Sequence, residues 1–237
     1  MLQLHTSRAL VLSFAVAIVC VGVALLVYAG AREETTLSVV DAAFTATSAI
    51  CVTGLIVKDT GGDFGFAGQA IILCALQIGG LGILTFSNLI ILAQTGRLGL
   101  EQRVSMGETH GTLPSVSPAR LLRYIVLYTF VLEALGAIVL SLRFTRDFPL
   151  GQAIWLGVFH SVSAFCNAGF SLFTTSLEQY RGDLVVNATV IALIILGGIG
   201  FIVVADLATW ATTRRTAGKH RVSFHTRVVL GTTLILI

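Results

Sequence analysis

Apolar residues run in long unbroken blocks along this chain, and the lengths of the blocks sort them into two kinds. Four stretches are long enough to cross a hydrocarbon core as helix: about Ala9 to Ala29, Gly65 to Leu92, Leu121 to Leu142 and Leu184 to Ala211. Two others, Leu37 to Ile50 and Gly151 to Phe165, reach only about 20 Å as helix, the length of a segment that enters a membrane and returns. The order is long, short, long, and then the same again. A seventh run begins near Val228 and meets the last residue, Ile237. The first block ends near Ala29-Gly30-Ala31, similar to a signal-peptide cleavage site. Its length of about twenty residues exceeds a secretory core of roughly 7 to 15, so it reads as a retained membrane helix.

The two triplets repeat one another residue by residue. Phe44-x-x-x-Ser48-Ala49-x-Cys51-x-x-Gly54 matches Phe159-x-x-x-Ser163-Ala164-x-Cys166-x-x-Gly169 at an offset of 115, and Gly79-Gly80-Leu81-Gly82 matches Gly197-Gly198-Ile199-Gly200 at 118. The fold class expected is therefore an all-α membrane protein of tandem helix, re-entrant half-helix, helix repeats. Residues 1–95 form the first repeat, 96–120 a connecting loop, 121–213 the second repeat, and 214–237 a further loop with the start of a third. The repeats run parallel, with their symmetry axis along the membrane normal.

Composition agrees: 55% apolar and 11% charged residues, with a mean hydropathy of +0.91, leave no charged shell for a water-soluble fold, so the lipid bilayer is the expected solvent. The net charge of +3 says little alone, and nothing suggests nucleic-acid binding. Placement of the charges says more. Arg97, Arg103, Arg120 and Arg123 lie between the triplets, and Arg214, Arg215, Lys219, Arg221 and Arg227 follow the second; acids balance or outnumber bases around the short segments. The amino terminus and the basic loops are therefore expected on the cytoplasmic side of a multi-pass cell (inner) membrane protein, with the short segments entering from outside.

A short helix ending inside the membrane points its negative carbonyl end at the bilayer centre, which favours a cation there. The return that follows exposes main-chain carbonyls, tolerated at that depth only beside water or an ion. After the first short helix comes Cys51-Val52-Thr53-Gly54, and after the second Cys166-Asn167-Ala168-Gly169. Gly54 and Gly169 can take positive φ, letting successive carbonyls face one axis.

The strings SAICVTGL (Ser48 to Leu55), QIGGLGILTF (Gln77 to Phe86), SAFCNAGFSLF (Ser163 to Phe173) and ILGGIGF (Ile195 to Phe201) resemble the first two repeats of the Trk/Ktr/HKT family of potassium transporters, over nearly the whole chain. The resemblance implies a potassium-conducting pore built from four such repeats. Gly54 and Gly169 would be filter glycines, and the carbonyls of Cys51, Val52, Thr53, Cys166, Asn167 and Ala168 potassium ligands. It implies potassium as the substrate, with glycine rather than serine at the first filter accompanying potassium permeation; sodium selectivity, co-permeation or dependence stays open. It also implies a homodimer of complete chains and a nucleotide-binding regulatory ring docking on the cytoplasmic loops. No organic cofactor and no transition-metal site are expected. Two pore loops stand where the family has four, so the chain is expected to be incomplete, with a natural half-length protein pairing with another copy as the alternative. With no extra helices before Ala9, the Ktr-like branch is favoured over the Trk-like one.

Other residues are weighed against this reading. The Gly79-Gly80-x-Gly82 and Gly197-Gly198-x-Gly200 motifs are read as close helix packing within spanning helices rather than nucleotide loops. Glu133 and Asp206 need partners; structural hydrogen bonds or ion pairs, with a loop Arg for Asp206, compete with a role in a cation-coupled carrier. His160 is read as a satisfied buried histidine before a pH sensor. Cys20, Cys51, Cys74 and Cys166 are expected as small buried packing residues. Ser117-Pro118 reads as an N-cap followed by Pro at the first helical position. An enzyme is not expected: no nucleophile, base and orienting group come together, and His5, His110, His220 and His225 fall at ends or in loops.

Overall fold

The computed structural model describes residues 2–28, 37–82, 118–200, 203–204, 206–207, 210 and 223–236. All regular structure among them is helical: α1 (Leu2–Tyr28), α2 (Val39–Ile50), α3 (Phe66–Leu81), α4 (Pro118–Phe144), α5 (Leu150–Phe165), α6 (Leu184–Ile199) and α7 (Phe224–Leu236), with a 3-10 turn at Glu178–Tyr180. The stretch Leu122–Phe144 in α4 is by itself long and apolar enough to cross a membrane.

Local sequence starts three of the helices. Ser38 caps α2 through a capping box, its hydroxyl accepting the Asp41 N–H and the Asp41 carboxylate accepting the Ser38 N–H, both at 3.1 Å. Pro118 stands at the first position of α4, as its fixed φ favours; Ser117 lies outside the described residues. Asp183 caps α6, accepting the N–H groups of Val185 and Val186.

Helices α1, α2 and α3 pack as one bundle, α4, α5 and α6 as a second, and α3 lies against α5 where the bundles meet. Close approach depends on small residues: Ala42, Ala46 and Ala49 bury the face of α2 that meets α1 at Gly22. Gly157 of α5 packs on Ser141 and the Ala137 carbonyl, and Gly136 of α4 packs on the Ser161 hydroxyl. Every residue of α5 from Phe159 to Phe165 is buried, whereas α2 keeps Val39, Val40 and Phe44 exposed.

Two expected spans differ in outcome. The blocks Gly65 to Leu92 and Leu184 to Ala211 read as continuous helices, but α3 stops at Gly82 and α6 at Gly200, where φ is +78° and +79°. An L-residue rarely adopts that conformation, so these glycines end the helices rather than pack inside them. Beyond Gly200, residues 203–204, 206–207 and 210 are again helical; 83–117 lie outside the described residues. The cysteines correct a second expectation. Only Cys166 is packed, while Cys20, Cys51 and Cys74 sit on exposed faces, because apolar neighbours in sequence mark a lipid-compatible face as readily as a core.

Candidate ion-binding site

The segments after the two short helices share one backbone path. At the end of α2, Cys51 N–H bonds to Thr47 O, Val52 N–H to Ala49 O and Thr53 N–H to Ser48 O. At the end of α5, Cys166 N–H bonds to Val162 O, Asn167 N–H to Ala164 O and Ala168 N–H to Ser163 O. Val52 and Asn167 have φ of +54° and +57°, Gly54 and Gly169 +76° and +74°. All four pairs of positions keep the offset of 115 residues. Two residues of positive φ within three, one of them non-glycine, turn the chain sharply away from the helix end and carry local strain.

Matched serine hydroxyls brace both turns. Ser48 Oγ donates to Leu55 O and Ser163 Oγ to Phe170 O, each at 2.6 Å, and Thr53 Oγ1 adds a bond to Ser48 Oγ at 2.9 Å. Among the described residues no donor reaches the carbonyl oxygens of Cys51, Val52, Thr53, Gly54, Cys166, Asn167, Ala168 or Gly169, whereas the carbonyls just beyond, of Leu55 and Phe170, are both bonded. Two equivalent turns thus carry eight main-chain acceptors with no donor among the described residues.

The turns also meet. A Cβ at Gly54 would lie 2.5 Å from the Ala168 carbonyl oxygen and 3.4 Å from Gly169 Cα, while one at Gly169 would come only within 3.6 Å of Gly54 Cα. Behind each turn, glycine lets the next helix approach its own short helix: a side chain on Gly79 would strike the Ile50 carbonyl and one on Gly197 the Phe165 carbonyl. The expected packing role of these glycines is thus seen at the helix ends.

The family model TrkH, described as a cation transport protein, matches residues 5–237. The chain belongs to this family. Similar relatives are the Ktr system potassium uptake protein B of Vibrio alginolyticus, 41% identical over 85% of this chain, and that of Bacillus subtilis, 38% identical over 84%. The potassium/sodium uptake protein NtpJ of Enterococcus hirae is 34% identical over 84%. The chain spans 43%, 44% and 43% of the lengths of these three proteins.

Within this TrkH-family chain the other candidate residues have partners. Glu133, 4% exposed on α4, accepts from Gln77 Nε2 of α3 at 3.0 Å and from the Cys166 thiol at 3.9 Å. Asp206 accepts the Ser223 N–H at 2.9 Å and the Thr226 hydroxyl at 2.7 Å, which fixes the start of α7. The His160 ring joins Leu156 O at 2.8 Å and Ser171 Oγ at 3.0 Å and stacks on Phe173, a satisfied buried histidine. Further contacts tie the bundles together: Trp155 Nε1 donates to Gln69 Oε1 at 2.8 Å, and Thr174 Oγ1 to Asp59 Oδ2 at 2.6 Å. Sequence reasoning missed the bracing role of Ser48 and Ser163, although both stand in the repeated motif, and gave Gln77 no role at all.

Proposed function

We propose that the complete protein carries potassium across the cell membrane through a filter lined by the main-chain carbonyls of Cys51, Val52, Thr53, Gly54, Cys166, Asn167, Ala168 and Gly169. The observation that carries this reading is the pair of equivalent turns whose carbonyls lack donors among the described residues, each following the C-terminal, negative end of a short helix. The helices are the half-spanning pore helices of two helix, pore-loop, helix repeats, 1–95 and 121–213, joined by a cytoplasmic connection at 96–120 whose last three residues already belong to α4, with 214–237 opening a third. The names of the relatives support potassium as the ion, with sodium as a second candidate. The complete protein acts as a homodimer whose cytoplasmic side, which includes the amino terminus, receives a nucleotide-binding regulatory ring. A carrier coupled through Glu133 or Asp206 has less support, since both carboxylates are engaged by neighbouring side chains or main chain.

The test is uptake by the complete protein in potassium-starved cells lacking their own uptake systems. G54D and G169D, normalised to protein in the membrane, are expected to lose uptake or its ion preference. Flux and preference unchanged in both would refute a carbonyl filter at these turns.

A further inference from the structure

The second candidate filter turn is seated by the first repeat. Cys166, the first residue beyond α5, lies in a slot with Gly80 of α3 on one side, where a Cβ would come within 2.7 Å of Cys166 Cβ, and the Glu133 carboxyl group on the other. Gln77, one turn before Gly80 on the same helix, donates to the Glu133 oxygen that the thiol also reaches, both bonds ending on Oε1. The main-chain carbonyl of Glu133 in turn accepts the Ser161 hydroxyl of α5 at 2.7 Å. One residue of α4 thus holds α3, the end of α5 and the start of the second turn together.

This arrangement breaks the repeat symmetry. At the offset of 118 the position of Gln77 is taken by Ile195, and at 115 that of Glu133 corresponds to Ile18. The polar clamp belongs to this junction alone among the described residues. Apolar residues stand at both offset positions, whereas a carboxyl group buried in a membrane protein is costly to keep unless it is hydrogen-bonded, as Glu133 is.

We infer that Glu133, with Gln77, is a positioning residue that sets the second filter turn, through Cys166, from the neighbouring repeat. The inference rests on the filter reading above. Glu133 touches no candidate ion ligand through a carbonyl; it fixes the side chain of a residue whose own carbonyl is one of the eight, so its loss changes ion affinity and discrimination.

The experiment uses the complete protein in cells lacking other potassium uptake, measuring apparent KM for potassium, inhibition by sodium, and protein in the membrane. E133A and Q77A are each expected to raise the potassium KM about tenfold and to weaken discrimination against sodium. E133Q keeps a carbonyl acceptor and is expected to restore both quantities, and the exchanged pair Q77E/E133Q to recover most of the loss. Unchanged KM and sodium inhibition in E133A and Q77A would overturn the inference, as would failure of both E133Q and the exchanged pair to rescue. Absence of both alanine variants from the membrane would also overturn it, marking the contact as one needed for assembly. No potassium uptake by the unaltered protein would instead refute the filter reading itself.

Discussion

Gly54 and Gly169 are equivalent by repeat and nearly equal in φ, yet adding one methyl group to each has different consequences. At Gly169 the nearest atom to an added Cβ is Gly54 Cα at 3.6 Å, ordinary contact distance, so G169A carries only the strain of an L-residue at φ +74°. That strain is about 1–2 kcal/mol, a factor of roughly 5 to 30 in the population of the native turn. At Gly54 the same strain is joined by a clash with the Ala168 carbonyl oxygen at 2.5 Å. Relief to ordinary contact at 3.4 Å requires that oxygen, a proposed ion ligand, to move by roughly 0.9 Å. A displacement near 1 Å in a preorganised site costs on the order of a hundredfold. G54A is therefore expected to lower the efficiency of potassium uptake about a hundredfold and G169A about tenfold. The assay is concentration-dependent rubidium or potassium uptake by the complete protein, corrected for protein in the membrane. Equal losses, or a larger loss in G169A, would refute the claim that the Gly54 to Ala168 approach shapes the site.

The remaining predictions concern stability. S163A removes the bond to Phe170 O, and S48A removes both the bond to Leu55 O and the shorter of the two bonds of Thr53 Oγ1, leaving the one to Ser48 O at 3.4 Å. Each is expected to cost about 1–2 kcal/mol, S48A more, read as a fall in the thermal unfolding midpoint in detergent; an unchanged midpoint in both would remove the bracing role. V52N is expected to raise that midpoint by the equivalent of about 1 kcal/mol, because Asn tolerates the positive φ that the branched Val52 side chain opposes, and a fall would contradict the strain argument. The Asp183 carboxyl group is held below the ordinary value of 3.8 by the Val186 N–H and by Arg143. A lowered native pKa stabilises above the unfolded value and loses that stabilisation as pH falls through the native one. The difference in unfolding midpoint between the native protein and D183N should accordingly be full above pH 3.8 and close below it; a constant difference would show that the cap acts without its charge.

Much of the architecture was legible before any coordinates because bilayer thickness turns hydropathy into element length. The short block Leu37 to Ile50 contains α2, Gly151 to Phe165 covers all of α5 but its first residue, and Pro118 opens α4 where its lack of an N–H is harmless. The repeated serine, cysteine and glycine pattern located both turns, and their backbone angles agree pair by pair. Hydropathy could not show that Gly82 and Gly200 break their helices, since glycine is common inside membrane helices and only the local φ distinguishes a packing glycine from a terminating one.

What the sequence alone determined, then, is the order of the helices, which of them are short, the positions of the turns and the family, all properties of chain segments and their equivalents at a nearly constant offset. Tertiary structure decided which groups from different segments share a contact: Ala168 O against Gly54, Gln77 and Cys166 on one oxygen of Glu133, Trp155 on Gln69. Such contacts join residues many positions apart, and no local period encodes them. They follow from how closely glycine and alanine let helices approach, which only the assembled bundles reveal.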